Sequence, residues 1–205
     1  PKNLYKAYHR VLSNKGVAGV DGMSVYELNS FREEKGKQLL TSILNRTYVP
    51  QAIKRVDIPK GKGKTRPLGI PTVVDRWLQQ ALSQQLATDF ELEFASESYG
   101  FRPKRSTHQA LQQSLKYIND GYQDIVDIDL QSFFEEVSHY KLLQLIYNKT
   151  KCRTTLWLIR KWLRAPMMIN GCLHKRRKGV PQGSPLSPLL SNILLDELDK
   201  ELKRR

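Results

Sequence analysis

Gly179-Val180-Pro181-Gln182-Gly183-Ser184-Pro185-Leu186-Ser187-Pro188-Leu189-Leu190-Ser191-Asn192-Ile193 is the stretch on which the reading of this chain turns. It passes from polar turn residues, through three prolines (Pro181, Pro185, Pro188), into apolar residues at helical spacing. A proline in the first turn of a helix is favourable because the amide it lacks would have no partner there. The pattern predicts a helix from about Leu186 to Lys203. At the entry to that helix, Gln182 and the backbone around Gly183 are placed to meet an anion or a nucleotide. The simpler reading is a helix start and nothing more.

Working outward, Asn170-Gly171 marks a hairpin turn, and periodic apolar residues predict helices at roughly 139–149 and 154–164. Before them, Asp124 to Leu130 has apolar Ile125, Val126 and Ile128 flanking the acidic Asp124, Asp127 and Asp129, which predicts a buried strand carrying carboxylates. A buried carboxylate is costly unless a cation or donors compensate it, so this conflict marks Asp129, with Asp127 an equal candidate, as a metal ligand. Phe134 follows five residues after Asp129. It is either a core aromatic or a platform under a sugar ring.

The first half is mostly helical. Leu4, Ala7, Tyr8, Val11 and Leu12 share a helix face that leads into a loop with Gly16, Gly19, Asp21 and Gly22. Ser24 and Glu27 form a capping box for a helix ending near Tyr48-Val49-Pro50. Ala52–Ile58 and Arg66–Ile70 suit strands of a hairpin rich in cations, Lys54, Arg55, Lys60, Lys62, Lys64 and Arg66 against the single acid Asp57. Gly63-Lys64-Thr65 is not a phosphate-binding P-loop, because the required first glycine falls on Ile58 and Pro67 would interrupt the helix. Helices are expected over Asp75–Phe94 and Ser106–Ile118, joined by the irregular turn Ser98–Pro103.

The 205 residues include 40% hydrophobic positions, sufficient for one core or two, and a formal net charge of +14. Such an excess attracts a polyanion. Arg102, Lys104 and Arg105, and then Lys175, Arg176 and Arg177, form further basic runs suited to a template backbone. No apolar run of about 18 residues argues for a membrane span. Cys152 and Cys172 lack paired zinc-site spacing and read as two reduced intracellular thiols; the expected setting is cytoplasmic and bacterial. Hydrolase elbows, HExxH helices and CxxC pairs are missing from the sequence.

Five blocks in order resemble group II intron reverse transcriptases: Gly19-Val20-Asp21-Gly22, Arg66-Pro67-Leu68-Gly69-Ile70-Pro71, Ser98-Tyr99-Gly100-Phe101-Arg102-Pro103, Asp129 to Phe134, and Pro181 to Pro188. The resemblance implies an α+β fold, the fingers and partial palm of a right-hand polymerase, largely helical with an antiparallel β-hairpin in the fingers. It implies an N-terminal extension and fingers over 1–122 and a partial palm over 123–205, with helices and a hairpin returning to the fingers. Asp129 aligns with the first metal-binding aspartate of a two-Mg2+ site. Lys60 and Arg66 look like the triphosphate-contacting pair, Phe134 like the sugar gate, and Gln182 with Gly183 like the lining of the nucleotide pocket. Gly19, Asp21 and Gly22 belong to an extension that helps hold template.

The implied activity is RNA-directed DNA synthesis, with intron RNA, an RNA template carrying a DNA primer, and dNTP as partners. Two other readings stand beside it: an RNA-binding maturase module without chemistry, and a retron, CRISPR-associated or diversity-generating reverse transcriptase. The family's Tyr-x-Asp-Asp motif does not occur in the chain. Pro1 and Arg205 read as cuts within a longer protein, two of three catalytic carboxylates are expected elsewhere, and the chain alone is expected not to polymerise. An unpaired palm strand would favour a homodimer, an expectation that a monomer mass by light scattering at high concentration would remove.

Overall fold

The computed structural model describes residues 2–61 and 63–205; Lys62 of the basic hairpin lies outside them. The described elements are α1 (Lys2–Ser13), a 3-10 turn (Val25–Glu27), α2 (Leu28–Leu44), β1 (Ile53–Gly61), β2 (Lys64–Ile70), α3 (Val73–Phe90) and α4 (Thr107–Asn119), followed by the single turn α5 (Phe133–Glu136), α6 (His139–Thr150), α7 (Arg153–Arg164), β3 (Met167–Ile169), β4 (Cys172–His174) and α8 (Ser187–Arg204).

α3 organises the packing. Thr72 caps its start, accepting from the Asp75 amide at 3.2 Å. One side of α3 buries Val73, Trp77 and Ala81 against Ala7 and Val11 of α1 and Leu28 of α2. Its other side buries Leu78, Leu86 and Phe90 in a larger core with Leu142 and Ile146 of α6, Ile159 and Trp162 of α7, and Leu190 and Ile193 of α8. Each fully buried aliphatic or aromatic side chain contributes about 1.5–3 kcal/mol. A helix buried on two sides cannot show a single apolar stripe, which is why α3 reads as weakly amphipathic.

The sheet runs β2-β1-β3-β4. β1 and β2 pair antiparallel, β1 and β3 parallel through Ile53 opposite Met167, and β3 and β4 antiparallel. Asn170 (φ 49°) and Gly171 (φ 80°) both take the left-handed conformation that a tight two-residue turn requires. The β3–β4 hairpin thus docks onto the strand that begins the basic hairpin.

Two expectations are corrected. The Ser24–Glu27 capping box is present but opens a 3-10 turn, and α2 stops at Leu44 because Arg46 enters the left-handed region (φ 58°), short of Tyr48. Asp124–Leu130 is not a buried strand: it carries no ladder, and Ile125 and Val126 are 81% and 82% exposed. Strand propensity is realised only against a partner strand, and among the described residues none lies beside this segment. No helix among the described residues is long and apolar enough to cross a membrane.

Candidate nucleotide site

The Gly179–Gln182 segment is threaded between α5 and the edge of β2 by main-chain bonds. The Gly179 amide donates to the Val137 carbonyl (2.8 Å), the Val180 amide to the Phe134 carbonyl (2.6 Å), and the Gly69 amide to the Gln182 carbonyl (2.6 Å). Gly183, at φ 109°, passes so close to β2 that a Cβ would lie 2.7 Å from the Gly69 carbonyl oxygen. Only glycine is accommodated there. Ser184 donates to Gln79 Oε1 of α3 (2.8 Å) and Ser187 to the Pro181 carbonyl (2.7 Å), both buried. The hydroxyls of the motif therefore fix its backbone to the core, a role that sequence spacing alone did not indicate.

His139, the first residue of α6, holds the same segment from beneath. Its Nε2 lies 2.8 Å from the Gly179 carbonyl. A carbonyl can only accept, so Nε2 carries the proton. Burial lowers the His139 pKa, and the positive charges of Arg176 and Arg164 lower it further, against the opposing effect of the Gly179 bond. Burial thus favours the neutral ring.

Above this segment opens a cavity of about 460 Å³ that brings Phe134 and Gln182 together with Arg55, His174, Arg176 and Lys178 over a floor of Met167 and Ile169. Phe134 is half-buried and meets Phe133 edge-to-face at 5.6 Å. Arg55 pairs with Asp57 at 2.9 Å, and Lys178 with Glu136 at 2.6 Å.

Lys60 and Arg66 are exposed on the hairpin and do not line this cavity. Arg66 pairs with Ile58, whereas Arg55 pairs with Gly69, so the alternation of side chains puts Arg66 on the opposite face of the sheet from Arg55. Asp129 and Asp127 stand exposed in the irregular segment before α5. An aspartate carboxylate is a suitable hard oxygen ligand for Mg2+, but among the described residues no group of three or more potential ligands is assembled.

Arg102, expected to contact RNA, is corrected to a structural role. Its guanidinium is buried, pairs with Glu91 at 2.9 Å, donates to the Ala95 and Ser98 carbonyls, and lies over the Phe94 ring. These bonds occupy the donors that a phosphate would need. Lys104 is exposed, while Arg105 donates to the Ser96 carbonyl and lies over Tyr99. Lys175 and Arg177 are exposed, and Arg176 between them turns inward. Gly19 is buried against Thr72, the Asp21 side chain accepts from the Met23 amide, and Gly22 (φ 72°) completes an exposed turn. Arg76 of α3 donates to the Val17 carbonyl (2.7 Å), tying this loop to the core.

The family described as "Reverse transcriptase (RNA-dependent DNA polymerase)" matches residues 58–205. Group II intron-encoded protein LtrA of Lactococcus lactis is 41% identical over 98% of the chain, which spans 33% of LtrA. Protein YkfC of Escherichia coli is 35% identical over 100% of the chain and 55% of its own length. A putative COX1/OXI3 intron 2 protein of Saccharomyces cerevisiae is 30% identical over 98% of the chain and 24% of its own length. The chain thus spans about a third of LtrA and about half of YkfC. Among solved structures, a partial Cas6-RT-Cas1–Cas2 complex superposes with a TM-score of 0.64 over 100% of the chain and 34% of the matched chain, at 22% identity. The fold is that of reverse-transcriptase fingers and palm, and this chain belongs to the reverse transcriptase family.

Proposed function

We propose that the chain supplies the nucleotide-handling part of an RNA-directed DNA polymerase of the group II intron type. The observation that carries this is the meeting of Phe134 and Gln182, distant in sequence, in one cavity beside cationic side chains. In the proposed reaction a primer 3'-hydroxyl attacks the α-phosphate of a dNTP paired with an RNA template, and pyrophosphate leaves. Mg2+ would activate the hydroxyl and stabilise charge on the phosphate, with Asp129 as one of its ligands. The chain's own residues bind and orient. Phe134 closes the space beside the sugar and Gln182 and the Gly183 backbone line the nucleotide; Lys60 and Arg66, expected to receive the triphosphate, lie outside this cavity, Arg66 on the opposite sheet face, and are not assigned to it. Gly19, Asp21, Gly22, Lys104, Arg105, Lys175 and Arg177 lie along the template or intron RNA.

The division into fingers over 1–122 and palm over 123–205 is part of the same proposal. So is the inactivity of this stretch on its own, since no group of three or more possible metal ligands is assembled among the described residues and the sequence has no Tyr-x-Asp-Asp. The relatives named for introns favour an intron RNA partner over a CRISPR-associated role, and a maturase function would use the same basic surface. Self-association would run through the exposed 122–130 segment.

The test is sugar selection. In a chain of its relatives' length, Phe134→Ala raises incorporation of ribonucleotides relative to deoxyribonucleotides by about tenfold or more, because removal of the ring opens room for a 2'-hydroxyl. An unchanged ratio in an active variant removes Phe134 from the pocket.

A further inference from the structure

We propose that the sheet carries a phosphate-binding site centred on Arg176, with Arg55 beside it, on the face opposite Arg66. The sheet register sets the location. Met167 pairs with both Ile53 and His174, so Met167, His174 and Arg55 share one face, and the register of β1 with β2 places Arg66 on the other. Of the cations around the cavity, Arg55 and Lys178 have carboxylate partners. Arg176 has none among the described residues: its Nη1 is buried without a hydrogen-bond partner there, and no carboxylate offsets its desolvation.

A guanidinium nitrogen buried without an acceptor costs stability, and a bound oxyanion would supply the missing acceptor. The planar fork of arginine suits phosphate, and a chain of net charge +14 meets polyanions first. The cavity, about 460 Å³ with the half-buried Phe134 ring and the Met167–Ile169 floor, has the size and apolar lining of a nucleotide-sized site. The phosphate would come either from a nucleic-acid strand or from a free nucleotide. Arg176 is thereby separated from Lys175 and Arg177, its exposed neighbours in the basic run. The inference deepens the nucleotide-handling reading by naming the group that receives phosphate on this face.

The experiment compares this chain with Arg176→Met, which keeps length and removes charge, and Arg176→Lys, which keeps charge and loses the fork. Affinity is measured by calorimetry for inorganic tripolyphosphate and for a short oligouridylate, and Tm is measured without ligand. The expected result for Arg176→Met is an equal or higher Tm with affinity for at least one probe reduced about tenfold or more, partly restored in Arg176→Lys. The responding probe identifies the source of the phosphate. Unchanged affinity for both probes, a lowered Tm, or a loss that lysine does not partly restore overturns the site. A wild-type chain that binds neither probe fails the broader nucleotide-handling reading as well, whereas wild-type binding unaffected by Arg176→Met fails this site alone.

Discussion

Asp75 receives hydrogen bonds from four donors in three parts of the chain. Its carboxylate accepts from Tyr48 Oη (2.5 Å), Trp162 Nε1 (2.8 Å), Thr72 Oγ1 (2.8 Å) and the Gln51 amide (3.3 Å). Burial pushes its pKa up, and the four donors pull in the opposite direction. Removing the acceptor leaves buried donors on α3, α7 and the loop after α2 without a partner. Asp75→Ala is therefore expected to cost about 3–5 kcal/mol in urea unfolding, and a cost below about 1 kcal/mol would contradict this account. The sequence marked Asp75 only as a helix start, because its donors come from distant segments. Arg102 was misread for the same reason: a cation beside Pro103 looks like part of a basic surface until Glu91 and two carbonyls are seen to enclose it.

At the level of elements, local pattern was a sound guide wherever it coincided with the final environment. α4, α6, α7, α8 and the Asn170-Gly171 hairpin fall close to where periodicity and turn residues place them. The segment 124–130 shows the limit, since its apolar residues demand a partner that local sequence cannot supply. The α6–Gly179 clamp yields a pH prediction. The folded His139 pKa lies below its ordinary 6.5. Above that pH both folded and unfolded states are neutral at this group, and no penalty arises. As pH falls below about 6.5 the unfolded chain takes the proton first, so stability declines until the depressed folded value is passed. Urea midpoints are expected to drop through this window in the wild type and to drop less in His139→Gln. Equal slopes in the two proteins would contradict the clamp.

Across the whole molecule, the sequence identified both ends of the cavity, Phe134 and Gln182, because each lies in a distinctive block. It did not identify Arg55 and Arg176 as their companions. That pairing depends on the parity of β1 and on the docking of the β3–β4 hairpin, both of which are long-range. The apolar side chains Leu111, Leu115 and Ile118 of α4 are likewise exposed, and Ile118 shares a cavity with Tyr122, Ile125 and Val126 of the 122–130 segment. Asp129 thus sits on the least enclosed part of the chain, while the cavity is held from several sides by α5, α6 and the sheet.

The most direct measurement is primer extension on an RNA template with Mg2+ and dNTPs, by this stretch carried in a chain of its relatives' length, with and without Asp129→Ala. The account predicts extension by the wild type and a loss of at least about a hundredfold in the variant, because a metal-ligating carboxylate supplies several kcal/mol to the reaction. Undiminished extension by Asp129→Ala would contradict it.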